Sequence, residues 1–434
     1  MKQEMALDNV KENIEKNKIP FTSYDVGWVI MCIGMAIGSG IVFMPLQMSV
    51  KGFWATAIAL LITYPIVYLL TKLYITSLSE TQQTDYAGTI TQYLGRNWGA
   101  FLSFLYFFTI LKGMLGYAAT ITNDTSSYLQ RFGVTQHSLS DTLWFPLVLL
   151  VAMVLVASRG ERLLFKISGP FIVFKLMVII VLGALMVPYW NINNVSMTSP
   201  DSLIDLMRDV LVSLPFALFS IVFIQVLNPM NIAFRKIESD PKIATFRALR
   251  ASRIAYIILV VSVLFFAFSF MFSTTPEQAE MGISQNTSAL ALMAKIIPEN
   301  TGGFIPVLSV LLSISAILTS FFGIYLGFYD ALSGIIINIA DRFIVRGKKF
   351  NNFLPYLVTL TAIVLLWGWV VADVSTMALL QWTVGTFGLV SCLIPCYLIW
   401  RVPSLQKYKS PAVIFVSLMG FMLVVSPLFK LLEK

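Results

Sequence analysis

Two lysines stand inside apolar stretches of this sequence, Lys175 in FIVFKLMVIIVL and Lys112 in YFFTILKGMLGY. A charge at that depth in a membrane is costly and reads as functional. Burial favours the neutral amine, so such a group can release and retake a proton. Lys175 is about twelve residues from either end of its run, too deep to reach an interface easily. Two roles stay open for it: a proton carrier, or a structural ammonium satisfied by carbonyls. A second feature is the stretch GMAIGSGIVFMP from Gly34 to Pro45, whose glycines at 34, 38 and 40 disfavour a continuous helix. Unwound backbone within a bilayer is tolerable only where it lines a cavity or is buried in protein. It offers free N–H groups at one half-helix end and free carbonyls at the other. Those suit the two charged ends of an amino acid: a carboxylate on the N–H groups of Gly38, Ser39 and Gly40, an ammonium on carbonyls near Met35, Ala36 and Phe219. A plain helix-packing face is the competing reading of the glycines. A second interruption is expected at Ser213-Leu-Pro215 through Phe219 and Ser220, with Asn228-Pro229 beyond it, and Ser220 would line a side-chain pocket. Ala316, Thr319, Ser320 and Gly323 fall at i, i+3, i+4 and i+7, on one helix face. Their hydroxyls can hold a cation or ammonium, or bond back to their own helix.

The elements that must position these residues follow from composition. Of 434 residues 57% are hydrophobic and 12% charged, against roughly 45–50% and about 25% in soluble proteins. That excludes a soluble enzyme and places the chain in a bilayer. Apolar runs fall at roughly 25–46, 53–74, 98–122, 142–158, 163–187, 208–233, 249–272, 304–328, 354–371, 377–399 and 411–431, each near the length of a membrane-crossing helix. The expected organisation is a tail, 1–24, without the pattern of a signal peptide, and one all-α polytopic domain, 25–431. Lys and Arg collect on one side of these runs, including the group from Arg235 to Arg253. The other side receives only Lys51, Arg131, Arg208, Lys295, Lys430 and Lys434. By the positive-inside rule the N-terminus is cytoplasmic. Arg159, Glu161 and Arg162 form an inner charge cluster, and Asp330 and Asp341 mark an expected amphipathic cytoplasmic helix after the eighth run.

The three cysteines, Cys32, Cys392 and Cys396, lie in apolar runs, and His137 is the one histidine. No metal site, haem site or phosphate loop can be assembled from them, so ATP-driven pumping is disfavoured and no cofactor is expected. Neither nucleic acid nor an obligate protein partner is implied; the partners are membrane lipid and a small molecule. An ion channel would share this composition but normally needs repeated filter motifs. A membrane enzyme would need paired carboxylates or histidine clusters. Neither is present in the sequence.

At this point a resemblance is specific. GMAIGSGIVFMP, Tyr106 through Tyr117 to Asn123, Arg159-Gly-Glu-Arg162, VPYWN at 187–191 and LTSFFGIYLG at 318–327 resemble the bacterial hydroxy and aromatic amino acid permeases, within the amino acid/polyamine/organocation superfamily. The resemblance covers nearly the whole chain. It implies eleven spans in a five-plus-five inverted repeat (about 25–187 and 208–399, with an extra helix at 411–431). Helices one and six are broken, and a substrate sits near the midplane between spans one, three, six, eight and ten. It places Tyr117 at the site. Lys112, five residues away and about 140° around the helix, then faces neighbouring helices or the tenth run. In the superfamily a lysine on span five can put its ammonium where sodium-coupled relatives hold sodium. The Ala316 carbonyl with the Thr319 and Ser320 hydroxyls also has the spacing of a sodium site. The serine permeases carry lysine where Thr319 stands, which favours a proton over sodium here. The loop 275–288 resembles the serine and threonine branch, spans five and eight the tryptophan and tyrosine branch. The expectation is a proton-coupled inner-membrane importer of L-serine or L-threonine, with L-cysteine a further candidate. A sodium-coupled or aromatic amino acid symporter is the alternative.

Overall fold

The computed structural model describes residues 19–79, 86–131, 133–195, 202–284, 289, 292, 304–343, 347–373 and 384–431. The tail up to residue 18, the loop residues Gln285 to Ser288 and the start of the tenth run lie outside them. Within them all regular structure is helical.

The first run is cut in two. Helix α1, Ser23–Ala36, opens at Thr22, whose backbone N–H and hydroxyl both donate to the Asp25 carboxylate, at 3.0 and 2.6 Å. It closes at Ile37 (φ −77°, ψ 77°), where the Gly38 N–H bonds the Ala36 carbonyl at 2.9 Å. That is an inverse γ-turn, and it diverts the Gly38 N–H from the Gly34 carbonyl that an unbroken helix would have used. Helix α2, Ser39–Ser79, would reach about 60 Å if straight, twice a bilayer core. It turns at Gly52, whose φ of 78° is glycine territory, so it serves as the second half of run one and all of run two.

The chain continues through α3 Tyr86–Leu94, α4 Arg96–Arg131, α5 Trp144–Ala157 and α6 Glu161–Met186. The sixth run is also broken, but not where the sequence suggested. Pro215 sits inside α7, Leu203–Ile221, and the helix stops at Val222, which is extended (φ −82°, ψ 134°). After one 3-10 turn, α8 runs over Leu227–Ile237, bent by 44° from α7. Pro229 lies in the first turn of α8, where its missing N–H costs nothing. Then follow α9 Pro241–Ser273, α10 Pro276–Ser284, α11 Phe304–Ala340 and α12 Lys348–Val371, a π-helical segment Gly388–Leu393 leading into α13 Ile394–Arg401, and α14 Pro411–Leu431. The separate amphipathic helix expected after the eighth run is absent from the described residues. No proline interrupts 328–340, and α11 carries on through Asp330 to Ala340, leaving Asp341 just past its end.

By length and hydropathy eight helices among the described residues qualify as spans, nine when α7 and α8 count as one. This falls short of the expected eleven because α1 and α5 have fourteen residues each and α2 covers parts of two runs. Helix α1 lies between α6, α9 and α11; α2 packs along α7, and α4 along α11. Large apolar side chains such as Leu61, Val261, Tyr356 and Phe421 remain exposed around the bundle, as a lipid-facing surface requires.

One ionic cluster joins the start of α1 to α8 and α9. Asp25, fully buried, is bridged by Arg247 through Nε (3.1 Å) and Nη2, and by Arg250 at 3.3 Å; Arg247 also reaches Glu238 at 2.5 Å and the Thr22 hydroxyl at 2.8 Å. Nearby the Tyr24 hydroxyl donates to Glu161 at 3.3 Å, so the sequence's inner charge cluster meets α1 through that carboxylate.

Candidate functional site

The γ-turn at Ile37 leaves carbonyls of the last turn of α1 without their helical donors, and Lys175 of α6 and Ser320 of α11 supply new ones. Lys175, fully buried, donates to the Gly34 carbonyl at 2.9 Å, the Ile37 carbonyl at 2.8 Å and the Thr319 hydroxyl at 2.5 Å. An ammonium has three N–H donors, and all three are used. The Thr319 hydroxyl has one proton, which goes back to Ser315 at 2.8 Å, so toward Lys175 it accepts. Ser320 Oγ lies 3.1 Å from the Gly34 carbonyl and 3.3 Å from that of Met35. The Ala316 carbonyl is 3.2 Å from Thr319 Oγ1. The face read from the sequence at 316, 319 and 320 is thus turned onto the broken end of α1, and Lys175 occupies the space between α1, α6 and α11.

On the other side of the break the glycines are contact points. A Cβ on Gly38 would come within 2.7 Å of the Tyr117 hydroxyl of α4 and 2.8 Å of Ser320 Oγ. One on Gly40 would strike the Phe219 carbonyl and lie 2.7 Å from the Ser220 N. Gly38, Gly40, Tyr117, Phe219, Ser220, Lys175, Thr319 and Ser320, chosen from different segments, are therefore brought together. The backbone of Ser39 opens α2 beside them. Of the carbonyls of Met35 and Ala36, assigned to a substrate ammonium, that of Ala36 already accepts from the Gly38 N–H. That of Met35 lies 3.3 Å from Ser320 Oγ, whose one proton has a nearer acceptor in the Gly34 carbonyl. Each keeps a free lone pair.

Several participants were not singled out from the sequence. Ile37 contributes a carbonyl, and Gly34, read from the sequence only as a helix breaker, contributes another. Tyr64 of α2, buried, lies 3.1 Å from Ser220 Oγ; since the Ser220 proton goes to the Ala217 carbonyl at 2.7 Å, Tyr64 is the donor. Phe387, just before the π-helical segment, meets Phe219 edge-on with ring centroids 5.6 Å apart. π-bulges of this kind are frequent at functional sites. Gly388, next to Phe387, packs against α14, where a Cβ would lie 2.7 Å from the Gly420 carbonyl, and nothing in the sequence points to Tyr64. Lys112 stays apart: it donates to Thr386 at 3.1 Å and lies 4.4 Å from the Phe108 ring centroid, facing the tenth run as its helical angle suggested.

Against this geometry the chain can be compared with known proteins. It is 42% identical over 419 residues to a probable serine transporter of Escherichia coli (strain K12), covering 96% of this chain and 94% of that one. It is 27% identical over 435 residues to the threonine/serine transporter TdcC of Edwardsiella tarda, covering 94% and 96%. Its fold is similar to that of MHP1, a nucleobase-cation-symport-1 family transporter solved in a closed conformation with bromovinylhydantoin bound; the TM-score is 0.56 at 11% identity, over 94% of this chain and 90% of that one. The family model for tryptophan/tyrosine permeases matches residues 23–401. That stretch runs from the first residue of α1 to the last of α13 and holds every residue gathered around the broken helix, so the chain belongs to the tryptophan/tyrosine permease family.

Proposed function

We propose that this multi-pass inner-membrane protein, an amino acid transporter, imports L-serine or L-threonine together with a proton by alternating access. The observation that carries the reading is the Lys175 ammonium seated on the carbonyls of Gly34 and Ile37 and on the Thr319 hydroxyl. The substrate carboxylate sits on the N–H groups of Ser39 and Gly40, and on that of Gly38 once substrate displaces its bond to the Ala36 carbonyl, and its ammonium on carbonyls near Met35, Ala36 and Phe219. Its hydroxyl meets Ser220, with Tyr117 and Tyr64 beside it. The serine relatives and the paired hydroxyls of Ser220 and Tyr64 support this substrate over an indole or phenol.

The coupling follows from donor counting. Protonated, Lys175 has one N–H for each of its three acceptors and clamps the break of α1 to α6 and α11. Neutral, it has two, the clamp loosens, and the N–H groups two residues further along move with it. Sodium at the Ala316, Thr319 and Ser320 oxygens would lie beside this ammonium. Two unit charges about 4 Å apart repel by about 4 kcal/mol at an effective dielectric of about 20, which disfavours the sodium alternative. Release toward the cytoplasm requires the inner face to open, and the Asp25–Arg247–Glu238 cluster holds it shut. Proteoliposomes provide the test: an inward proton gradient without sodium is expected to drive accumulation of labelled serine. Accumulation that needs a sodium gradient at fixed pH would overturn the coupling ion, and absence of serine counterflow would overturn the substrate.

A further inference from the structure

Away from this site, α2 and α9 form a groove lined by Tyr68, Thr71, Lys72, Leu249, Ser252, Arg253 and Tyr256. Lys72 and Arg253 are exposed, and among the described residues neither side chain has an ion pair or a hydrogen-bonded partner. This contrasts with Arg250 and Arg247, one and two turns earlier in α9, both spent on Asp25. The Tyr68 and Tyr256 rings pack with centroids 5.3 Å apart. The Tyr256 hydroxyl donates to the Tyr64 carbonyl at 2.8 Å, and the hydroxyls of Thr71 and Ser252 donate within their own helices. What the groove offers outward is therefore an ammonium, a guanidinium and the Tyr68 hydroxyl, a donor set for a phosphate.

The surface beyond the groove settles which phosphate. Leu61, 74% exposed, is eleven residues before Lys72 and so about 20° from it around α2. Ile257 and Val261, 54% and 64% exposed, follow Arg253 by one and two turns on α9. Cations at one end and an exposed apolar track toward the bilayer centre match a headgroup and its acyl chains. Basic pockets between helices on the cytoplasmic side, where the distribution of Lys and Arg puts this end, are suited to anionic headgroups, and tyrosines belong at that depth. We propose that the Lys72–Arg253 groove is a binding site for one anionic phospholipid of the cytoplasmic leaflet.

Native mass spectrometry of the purified full chain, titrated with phosphatidylglycerol or with phosphatidylcholine of the same acyl chains, tests this. The wild type is expected to retain one phosphatidylglycerol in preference to phosphatidylcholine. Lys72→Gln/Arg253→Gln should bind it roughly thirty-fold more weakly, the ratio that follows from about 1 kcal/mol per cation, and the charge-preserving Lys72→Arg/Arg253→Lys should keep it. Equal retention by the neutral pair, or equal loss by the charge-preserving pair, would overturn the proposal. Displacement of the lipid by millimolar inorganic phosphate would also overturn it, because the groove would then be a site for the free anion.

Discussion

At the scale of single residues, the broken end of α1 works because a few groups are fully committed. Lys175 uses all three donors, so a side chain of similar length without them tests the coupling. Lys175→Met is expected to abolish gradient-driven accumulation while leaving counterflow, since exchange of substrate needs the site but not the proton. Accumulation at the wild-type level in this variant would leave Lys175 a structural residue only. Gly40 makes a different kind of contact. Its Cα faces the Phe219 carbonyl so closely that no Cβ fits, and backbone cannot step aside as a flexible side chain can. Gly40→Leu should therefore remove substrate binding from a protein that still inserts and purifies; binding of serine at wild-type affinity by such a protein would take the α1 break out of the site.

At the scale of elements, the first turn of α1 is fastened to α8 and α9 by a buried carboxylate and two arginines. Removing one partner of such a cluster leaves a buried charge uncompensated, a cost of about 3–5 kcal/mol where burial is complete; the partial exposure of Glu238 and Arg250, at 25% and 21%, puts the loss here at the lower end. Asp25→Asn is expected to lower the unfolding midpoint and to open the inner face. Opening can be read with Asn231→Cys on α8, a buried position, because the three native cysteines are themselves buried. A thiol reagent applied from the cytoplasmic side should label it faster with Asp25→Asn than without. An unchanged labelling rate would mean that the cluster holds the fold but not a gate.

For the whole molecule, family membership leaves substrate size open, and the proposed serine or threonine substrate makes a prediction about it. Phe219, next to Ser220 in the chain, meets Phe387 edge-on, and Ser220 pairs with the Tyr64 hydroxyl. On the proposed reading a substrate hydroxyl meets the Ser220–Tyr64 pair, while a larger ring is expected to press on the two phenylalanines. Unlabelled L-threonine should inhibit uptake of labelled L-serine strongly and L-tryptophan weakly. Strong inhibition by tryptophan with none by threonine would reverse the assignment.

Composition and run lengths determined by themselves that this is a helical membrane protein, because a chain with so few charges has only helices or a closed barrel with which to satisfy its backbone in lipid. The glycine spacing also located the break in the first run, and helical periodicity put Thr319 and Ser320 on one face and turned Lys112 away. These are local properties, fixed by backbone preference and angle within a single segment. The place of the second break was not local: Pro215 is accommodated inside α7 and the chain opens at Val222 instead. Nor was the role of the carbonyls. Once the γ-turn at Ile37 frees the Gly34 and Ile37 oxygens, their partners must come from whichever elements pack against α1. Only the tertiary arrangement decides that these are α6 and α11, and that α2 and the tenth run deliver Tyr64 and Phe387 to the same point.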